Sequence, residues 1–456
     1  MIFNSFHIQD KALFQQYLQD GGRVCEQAFA NLFAWQLDFG NRWTVCHDRL
    51  IVRSSTDAPG EPKKYMLLPD VRTLHLPDII RQIQEDAGEY PFCLARMSEE
   101  DKHYLENLFP DRFMFDNHRD DMDYVYDAQV FKTFKGRKLA AKRNHVNKFK
   151  SLYQYHYEEL TPDLFEGCLR LERQWRAEQH DDTGLLEAEE RAIRNFFAHY
   201  RDLDLIGGAL YVEGTLAAFT FGSPINNNTF DIHIEKADVR YEGVFPMMSH
   251  LFAQHLLTQY QYVNREEDLG LPGLRQSKLS YHPLRLEPKF SARLLNDDLR
   301  GIIRLWQDVF HDDEAFVHAF LSRYYHPEHA FLRREAGRVV TQCMLVPCDS
   351  EMGRVGYLYA IATAEEYREK GLAAQVTEEA VAYARGNGFA AVALIPANDG
   401  LRHYYARFGF EPHPFSIRFT SDLDLGTGDA TKDYPMVIKL QNKTLPAREI
   451  VCMPEE

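Results

Sequence analysis

The chain has 456 residues, of which 45% are hydrophobic and 26% are charged, and its formal net charge is −16. This length corresponds to two to four domains of ~100–200 residues each, and the composition excludes disordered and collagen-like chains. The negative charge argues against general attraction to nucleic acid or anionic lipid over the whole surface.

The sequence also argues against membrane, secreted and metal-binding classes. It has no run of about 18 apolar residues, and no basic segment followed by an apolar stretch opens it, so we expect neither a membrane span nor a signal peptide. The seven cysteines are widely spaced and form no CxxC pair, which predicts no disulfide framework, no zinc ribbon and no metal. We therefore expect a cytoplasmic protein with reduced thiols.

Residues 1 to about 130 mix helical and strand patterns. Segment 6–20 is amphipathic at helical spacing and predicts the first helix. Segment 43–55 alternates around a turn at His47, which predicts a β-hairpin. The stretch from Asp116 to Asp127 is acidic.

A basic segment follows the acidic one. Residues 131–150 contain eight Lys or Arg and no acid. Its apolar residues lie near one face of a helix that we expect to begin just after Gly136, while four cations point largely outward: Lys138, Lys142, Arg143 and Lys150. Such a cluster favours an anionic partner. One candidate is a polyanion such as tRNA, and the other is the chain's own acidic stretch, 116–127.

From 155 to 285 the mixed pattern resumes, with two helices, three strands, a further helix and a strand that runs into a polar loop. The loop and the segment after it supply the candidate substrate residues of this region: Asn264, Arg265, Glu266, Asp268 and Lys278. Strand ends are where α/β proteins place sites, although a salt-bridged loop has the same composition. Two prolines within 283–290 predict a domain boundary.

The most informative stretch is a strand ending at Thr363 and a loop, 368–373, that opens a long helix. Gly371 lets the backbone approach a ligand closely, and Ala373 keeps the first turn thin. Free N–H groups and the helix dipole at such a helix start favour an anion, and a pyrophosphate fits there. A second helix, 398–408, carries two tyrosines near its end.

These two elements together resemble the GCN5-related N-acetyltransferase (GNAT) family, over 287–441 of this chain. The resemblance implies that loop 368–373 holds the pyrophosphate of acetyl-CoA, the acyl donor. It assigns contacts with the cofactor to Ile361, Thr363, Arg368, Lys370, Gly371, Ala373 and Asn398. It implies that Tyr405 protonates the leaving thiolate. Taken singly, Asn398 is equally typical of a helix cap and Tyr405 of a core tyrosine.

The segments 136–149, 232–245 and 262–283 resemble the catalytic C-terminal region of phosphatidylglycerol lysyltransferases and, more loosely, Fem-type peptidyltransferases. Those enzymes take an amino acid from aminoacyl-tRNA and consist of two fused acetyltransferase-like halves. Segment 240–245 repeats the Arg-x-x-Gly pattern, but Phe245 replaces the small residue, which makes this loop poorly suited to a CoA pyrophosphate.

We expect an α/β (α+β) fold with mixed sheets flanked by helices, in three acetyltransferase-like units. A fused pair would occupy 1–285, a GNAT domain 287–441 and a tail 442–456. Three functions remain open. The first is transfer of acetyl from acetyl-CoA to the amine of a small molecule, peptide or protein. The second is aminoacyl transfer from tRNA by the N-terminal region. The third is a non-enzymatic N-terminal module that binds the acceptor.

Overall fold

Helices and strands alternate along the chain in a computed structural model. The structure describes residues 1–18, 21–55, 62–88, 92–177, 184–255, 257–413, 416–421, 423–425, 435–441 and 449–454. The chain forms two compact units. The first comprises Met1–Pro110 and Asn117–Leu294, and the second comprises Asp111–Asp116 and Leu295–Glu456.

The α-helices are α1 (Lys11–Leu18), α2 (Phe29–Ala34), α3 (Leu76–Ala87), α4 (Glu99–Leu108), α5 (Ala128–Thr133), α6 (Ala140–Leu152), α7 (Phe165–Ala177), α8 (Leu185–Ala198), α9 (Val244–His255), α10 (Pro272–Leu279), α11 (Asp297–Phe310), α12 (Glu314–Tyr324), α13 (Leu372–Gly386) and α14 (Asp399–Ala406). The strands are β1 (Arg42–Cys46), β2 (Arg49–Ser54), β3 (Lys63–Leu68), β4 (Phe92–Met97), β5 (Phe113–Asp116), β6 (Asp123–Asp127), β7 (Tyr155–Glu159), β8 (Ile206–Val212), β9 (Thr215–Pro224), β10 (Thr229–Ala237), β11 (Tyr262–Asn264), β12 (Arg285–Glu287), β13 (Phe290–Leu294), β14 (Ala330–Glu335), β15 (Arg338–Asp349), β16 (Val355–Thr363), β17 (Ala391–Leu394), β18 (Glu411–Pro412), β19 (Ile417–Phe419), β20 (Met436–Lys439) and β21 (Ile450–Pro454).

The first unit contains two mixed sheets. In one, the strands follow the order β1-β2-β3-β4-β13, with β3 and β4 parallel and the other pairs antiparallel. The hairpin predicted around His47 is confirmed as the β1–β2 pair. The other sheet has the order β12-β6-β11-β10-β9-β8-β7, in which only β10 and β11 pair in parallel.

Strand β10 lies inside this second sheet, and all of its side chains but one are buried. Apolar side chains cover the sheet, among them the fully buried Phe219, Phe221 and Phe230. Burial of such side chains stabilises each by roughly 1.5–3 kcal/mol. Polar side chains on β10 are therefore held in a packed interior, and this interior supplies most of the site described below.

The second unit is built on one mixed sheet, β18-β20-β17-β16-β15-β21-β19, with β14 paired to β15. Strands β16 and β17 are parallel but pair only as far as Tyr357 and Ala393, whereas β16 continues to Thr363. A bulge interrupts its antiparallel pairing with β15, and Ala360 within it has a φ of +48°. The far half of β16 thus has no pairing with β17.

Two segments differ from the expected domain bounds. Residues Phe290–Leu294, expected at the start of the C-terminal domain, form β13 and pair with β4 in the first unit. Residues Ile450–Pro454, expected in a tail, form β21, which pairs with β15 and β19. The tail residues 442–448 and 455–456 lie outside the described residues. The basic helix α6 begins at Ala140, three residues later than expected, because Leu139 is its N-cap.

Among the described residues, no helix combines the length and the apolar character needed to cross a membrane. The architecture as a whole confirms the predicted class: mixed sheets flanked by helices.

Candidate functional site

The loop before α13 is exposed and open. Gly371 is the N-cap of the helix, with a φ of +76°, and a Cβ added there would meet no atom within 4 Å. Arg368 and Lys370 are exposed, and the Nε of Arg368 donates to the carbonyl of Thr363 at 3.3 Å. Ala373 fills the first turn with only a methyl group. The loop offers free backbone N–H groups and two cations to one surface, which suits a pyrophosphate.

The end of β16 supplies the neighbouring backbone. Ile361 and Thr363 lie beyond the last residue that pairs with β17, and both are half-buried. Strand backbone without a ladder partner on one side is able to hydrogen-bond an extended ligand. This geometry suits an amide-containing arm laid along β16.

Asn398 and Tyr405 lie at opposite ends of α14. The side chain of Asn398 caps the helix by accepting from the N–H of Leu401 at 3.0 Å. Tyr405 is 6% exposed and packs its ring against Tyr404 and Phe410. Burial raises the pKa of Tyr405 well above its usual range, so its hydroxyl keeps its proton near neutral pH.

The first unit contains an open cavity of about 1270 Å³. Its polar lining comes from the 3-10 turn Cys25–Gln27, from β10, from the loop after β11, and from α6 and α10, and includes Glu26, Lys142, His233, Glu235, Arg265, Glu266, Glu267 and Lys278. This volume accommodates a ligand larger than a single amino acid. The cavity therefore brings together opposite charges from segments far apart in the sequence.

A buried lysine neutralises one group of acids at this cavity. The Nζ of Lys289 lies 2.6 Å from Asp123 Oδ1, 2.8 Å from Glu26 Oε2 and 3.2 Å from Glu267 Oε2. The thiol of Cys25 is 3.4 Å from the same Nζ. Although burial opposes the charged form, these anionic neighbours raise the pKa of Lys289 well above its usual range. The lysine is therefore a fixed cation.

Three of the predicted substrate residues reach the cavity. The Nζ of Lys278 donates to the carbonyl of Arg265 at 2.6 Å and to that of Glu267. The guanidinium of Arg265 lies 3.3 Å from Glu235 and 5.0 Å from the ring centroid of Tyr281. Glu266 lines the cavity and accepts from Asn31 at 3.0 Å. Lys278 thus holds the loop through its backbone.

The other two lie behind the cavity wall. Asn264 donates to Asp123 Oδ2 at 2.7 Å and so supports the lysine cluster. Asp268 is fully buried and pairs with Arg119 and Arg275 at 3.0 Å. Burial opposes ionisation of Asp268, but the hydrogen bonds from Arg275 and Tyr124 prevail and lower its pKa to about 2. Asp268 is therefore part of a salt-bridged loop, which is the alternative interpretation of this segment.

The expectation that the four cations of the basic segment point outward is wrong for Lys142. Its Nζ lies 3.8 Å from the ring centroid of Tyr281, and the side chain lines the cavity. Burial, reinforced by the charge of Arg265, lowers the pKa of Lys142 to about 8. Arg143 donates to the carbonyls of Phe134 and Gly136 at 2.6 and 3.2 Å, whereas Lys138 and Lys150 are exposed.

The acidic stretch does not pair with this helix among the described residues. Instead, Asp120 pairs with Arg275, Asp121 lies 3.8 Å from Arg96, and Asp123 binds Lys289. Among the described residues, α6 instead forms an ion pair between Lys148 and Glu242, at 2.7 Å. The acidic stretch 116–127 therefore does not neutralise the basic cluster.

Sequence reasoning missed several residues of the first unit: Cys25, Glu26, Arg96, Asp123, Asp231, His233, Glu235 and Lys289. One signal was available. In β10 the pattern Asp231-Ile232-His233 places polar residues at alternate positions, between the apolar Phe230, Ile232 and Ile234. The others come from segments up to 264 residues apart, such as Cys25 and Lys289, and no spacing rule connects them.

Mixed sheets flanked by helices, an exposed helix start and a charged cavity are typical of acetyltransferase-like proteins. Residues 23–293, more than half of the chain, match the family model for "Phosphatidylglycerol lysyltransferase, C-terminal", and the chain belongs to this family. Residues 292–413 match the model for "Acetyltransferase (GNAT) domain".

The chain is also similar to individual proteins. A conserved protein of unknown function from Bacteroides thetaiotaomicron, known from its crystal structure, is 36% identical with a TM-score of 0.60, over 65% of this chain and 100% of that chain. L-PGS from Bacillus licheniformis is 16% identical with a TM-score of 0.45, over 65% of this chain and 94% of that chain. The uncharacterized protein MYCGA3080 of Mycoplasmoides gallisepticum is 27% identical over 184 residues, which are 39% of this chain and 58% of that protein.

The chain thus spans little more than half of the length of that curated relative. It combines a lysyltransferase-like domain with a GNAT acyltransferase domain.

Proposed function

We propose that the C-terminal domain transfers acetyl from acetyl-CoA to a primary amine. One observation carries the proposal: the open position at Gly371, where exposed Arg368 and Lys370 flank a free helix start. The pyrophosphate would lie on these N–H groups, and the pantetheine arm would pair with the backbone at Ile361 and Thr363.

The chemistry requires little more than alignment. The amine nitrogen attacks the thioester carbonyl carbon, the C–N bond forms and the C–S bond breaks. The amine gives up a proton to water, and the Tyr405 hydroxyl gives its proton to the departing thiolate and regains one from solvent. A tyrosine with a raised pKa is suited to this step because it is protonated at neutral pH.

The test is calorimetric titration of acetyl-CoA into Gly371→Val, where the side chain would occupy the space of the pyrophosphate. Gly388→Val is a matched control. Gly388 follows the other end of α13, has a φ of +75°, and likewise has no atom within 4 Å of an added Cβ. We expect affinity to fall at least tenfold in Gly371→Val and to stay near wild type in Gly388→Val. Unchanged affinity in a folded Gly371→Val protein would remove the loop from the acetyl-CoA site.

A second candidate function is aminoacyl transfer in the cavity of the first unit. The observation that favours it is the set of carboxylates at the cavity, Glu235, Glu266 and Glu267, which suits the ammonium group of an aminoacyl ester. Lys142 and exposed Lys138 and Lys150 would serve the phosphates of tRNA.

Filter binding with bulk tRNA at low and at raised salt tests the second candidate. Phosphate contacts predict that log affinity falls by roughly 0.7–0.9 per phosphate for each decade of salt. Absence of retention at low salt would eliminate aminoacyl-tRNA as the donor. The cavity would then be the binding site of the acceptor amine, which is the non-enzymatic alternative.

A further inference from the structure

Strand β10 carries two polar side chains into the interior of its sheet at a bulge. Its pairing with β9 advances from Ile232 opposite Gly222 to Ile234 opposite Phe221, so His233 is the extra residue. Bulges re-aim side chains and are frequent beside functional sites. Here the bulge places the His233 imidazole beside the carboxylate of Asp231, with Nδ1 and Oδ2 3.4 Å apart.

A third ligand-type group comes from the parallel neighbour β11. Its last residue, Asn264, pairs with Asp231, and the chain then turns through Glu266, whose φ is +56°. The Oε1 of Glu266 lies 3.1 Å from His233 Nδ1. One imidazole nitrogen and two carboxylates therefore converge, and these ligand atoms all lie within 4.8 Å of one another.

Asp231 lacks the partners that a buried carboxylate needs. It is 0% exposed, and among the described residues neither of its oxygens has a hydrogen-bond donor. Neither Asp231 nor Glu266 has a Lys or Arg within 4.0 Å in that part of the chain. An unpaired buried carboxylate is costly, and a bound cation is one of the few arrangements that remove the cost.

The second ring nitrogen of His233, Nε2, has a hydrogen-bond partner, as is usual for a histidine that binds a metal. Ser223 Oγ lies 2.8 Å from His233 Nε2, so the Nε2–H tautomer donates to serine and leaves the Nδ1 lone pair facing the two carboxylates. The other tautomer, with Nδ1–H directed to Glu266, still leaves Asp231 without a donor.

A second cluster of similar composition, Cys25, Glu26 and Glu267, does not meet this description. The Nζ of Lys289 already lies within 3.4 Å of all three. A fixed ammonium group there balances the carboxylates and opposes a metal ion by charge repulsion.

We propose that Asp231, His233 and Glu266 form a binding site for one divalent transition-metal ion, of the kind of Zn²⁺ or Mn²⁺. Ligand atoms bonded at about 2.0–2.2 Å to one ion stand roughly 3.0–3.5 Å apart, and the two distances from Nδ1, 3.4 and 3.1 Å, match this spacing. A mixed imidazole and carboxylate set suits these ions better than Mg²⁺, which prefers oxygen ligands alone.

The site faces the cavity of the first unit. His233 and Glu266 line the cavity, whereas Asp231 lies behind them. Three protein ligands leave further coordination positions directed toward the cavity, where an oxygen of a bound ligand is able to enter. A metal here would polarise a carbonyl or phosphoryl oxygen held in the first unit, a capacity independent of the acetyl-CoA loop.

The test begins with the full chain treated with a chelator and freed of it by gel filtration. Calorimetric titration with ZnCl₂ and MnCl₂ should give one site per chain, with MgCl₂ at least tenfold weaker. Asp231→Asn and His233→Gln should each weaken the site at least tenfold. Glu26→Gln, in the cluster already neutralised by Lys289, is the matched control and should bind as wild type does.

Cobalt substitution distinguishes the two clusters directly. Co²⁺ bound by nitrogen and oxygen ligands shows only weak visible bands, whereas binding through Cys25 adds an intense thiolate-to-metal charge-transfer band. Saturable binding without that band, lost in Asp231→Asn or His233→Gln, supports the proposal. Absence of binding in the chelator-treated chain, a charge-transfer band, or loss of binding in Glu26→Gln alone would each overturn it.

Discussion

Two loops of the molecule share the pattern Arg-x-x-Gly before a helix but have opposite surroundings. At Gly371 the space in front of the glycine is open, whereas at Gly243 an added Cβ would lie 2.6 Å from the carbonyl oxygen of His145 in α6. Arg368 is exposed at the first loop. At the second, Arg240 is also exposed, but it is paired with Asp238 through Nη2 at 2.6 Å.

The difference teaches that the residue pattern alone does not make an anion site. In the second unit the helix start is left uncovered, so its dipole and free N–H groups face solvent. In the first unit α6 packs over the corresponding position, and the polar groups that remain available line an interior cavity instead. The same local motif serves ligand binding in one unit by our proposal, and helix packing in the other.

The largest effect is expected from removing the hydroxyl group of Tyr405 in the second unit. Tyr405→Phe should lower acetyl transfer by roughly 10²–10⁴-fold, because general-acid assistance acts in the transition state, with little change in acetyl-CoA affinity. The readout is the steady-state rate with an amine acceptor, beside calorimetry. Tyr404→Phe, on the adjacent half-buried ring, should retain the wild-type rate. Equal rates in both variants would make Tyr405 a packing residue only.

The cavity of the first unit should depend strongly on its buried lysine. Lys289→Met removes the ammonium partner of Asp123 and Glu267, while Glu26 keeps its pair with Arg96, and we expect the free energy of unfolding to fall by about 3–5 kcal/mol in urea titrations. Lys148→Met is the control, because its pair with Glu242 is exposed and contributes about 1 kcal/mol or less. Similar losses in both variants would contradict the description of a fixed central cation.

Alanine substitution compares the two loops themselves. Gly243→Ala adds steric overlap with α6, costing about 1–3 kcal/mol, to the left-handed backbone strain of about 1–2 kcal/mol. Gly371→Ala adds the strain alone. Urea titration of the two variants should therefore show a larger loss at Gly243. An equal loss would mean that α6 yields easily and that the covered loop is able to open.

The smallest effect is expected at the exposed Lys138, in the turn that precedes α6. Lys138→Glu should change the free energy of unfolding by no more than about 0.5 kcal/mol, because the side chain is exposed and the acidic stretch pairs elsewhere. Arg143→Met should cost about 1–3 kcal/mol, since it leaves the carbonyls of Phe134 and Gly136 without their donor. A large loss of unfolding free energy in Lys138→Glu, measured in the same titration, would indicate that Lys138 forms an internal ion pair.

The sequence was sufficient where physical signals are local. The β1–β2 hairpin and α13 with its loop both follow from alternation, turn residues and helix-start chemistry within about twenty residues. The class of fold follows from their order, and the family match bears out both resemblances.

The sequence was insufficient where the site is assembled across the sheets. Lys289 meets Cys25 because β13 pairs with β4 in the first unit, a tertiary contact with no counterpart in spacing. Lys142 lies on the expected helix, but its amphipathic pattern did not reveal that Tyr281 and a cavity would face it. The roles assigned to Asn398 and Tyr405 stay predictions, because a helix cap and a packed ring are compatible with a structural role and with a role in the acetyl-CoA site.

The position of β13 has a practical consequence for dividing the protein. A fragment that ends at the proline-rich stretch after 285 would lose Phe290–Leu294, and with it the strand that hydrogen-bonds β4. It would also lose Lys289, whose carboxylate partners would remain. Bare strand backbone invites association between copies, so such a fragment should aggregate. Truncation experiments on the first unit should retain the chain through Leu294, and an inactive shorter fragment carries no information about catalysis.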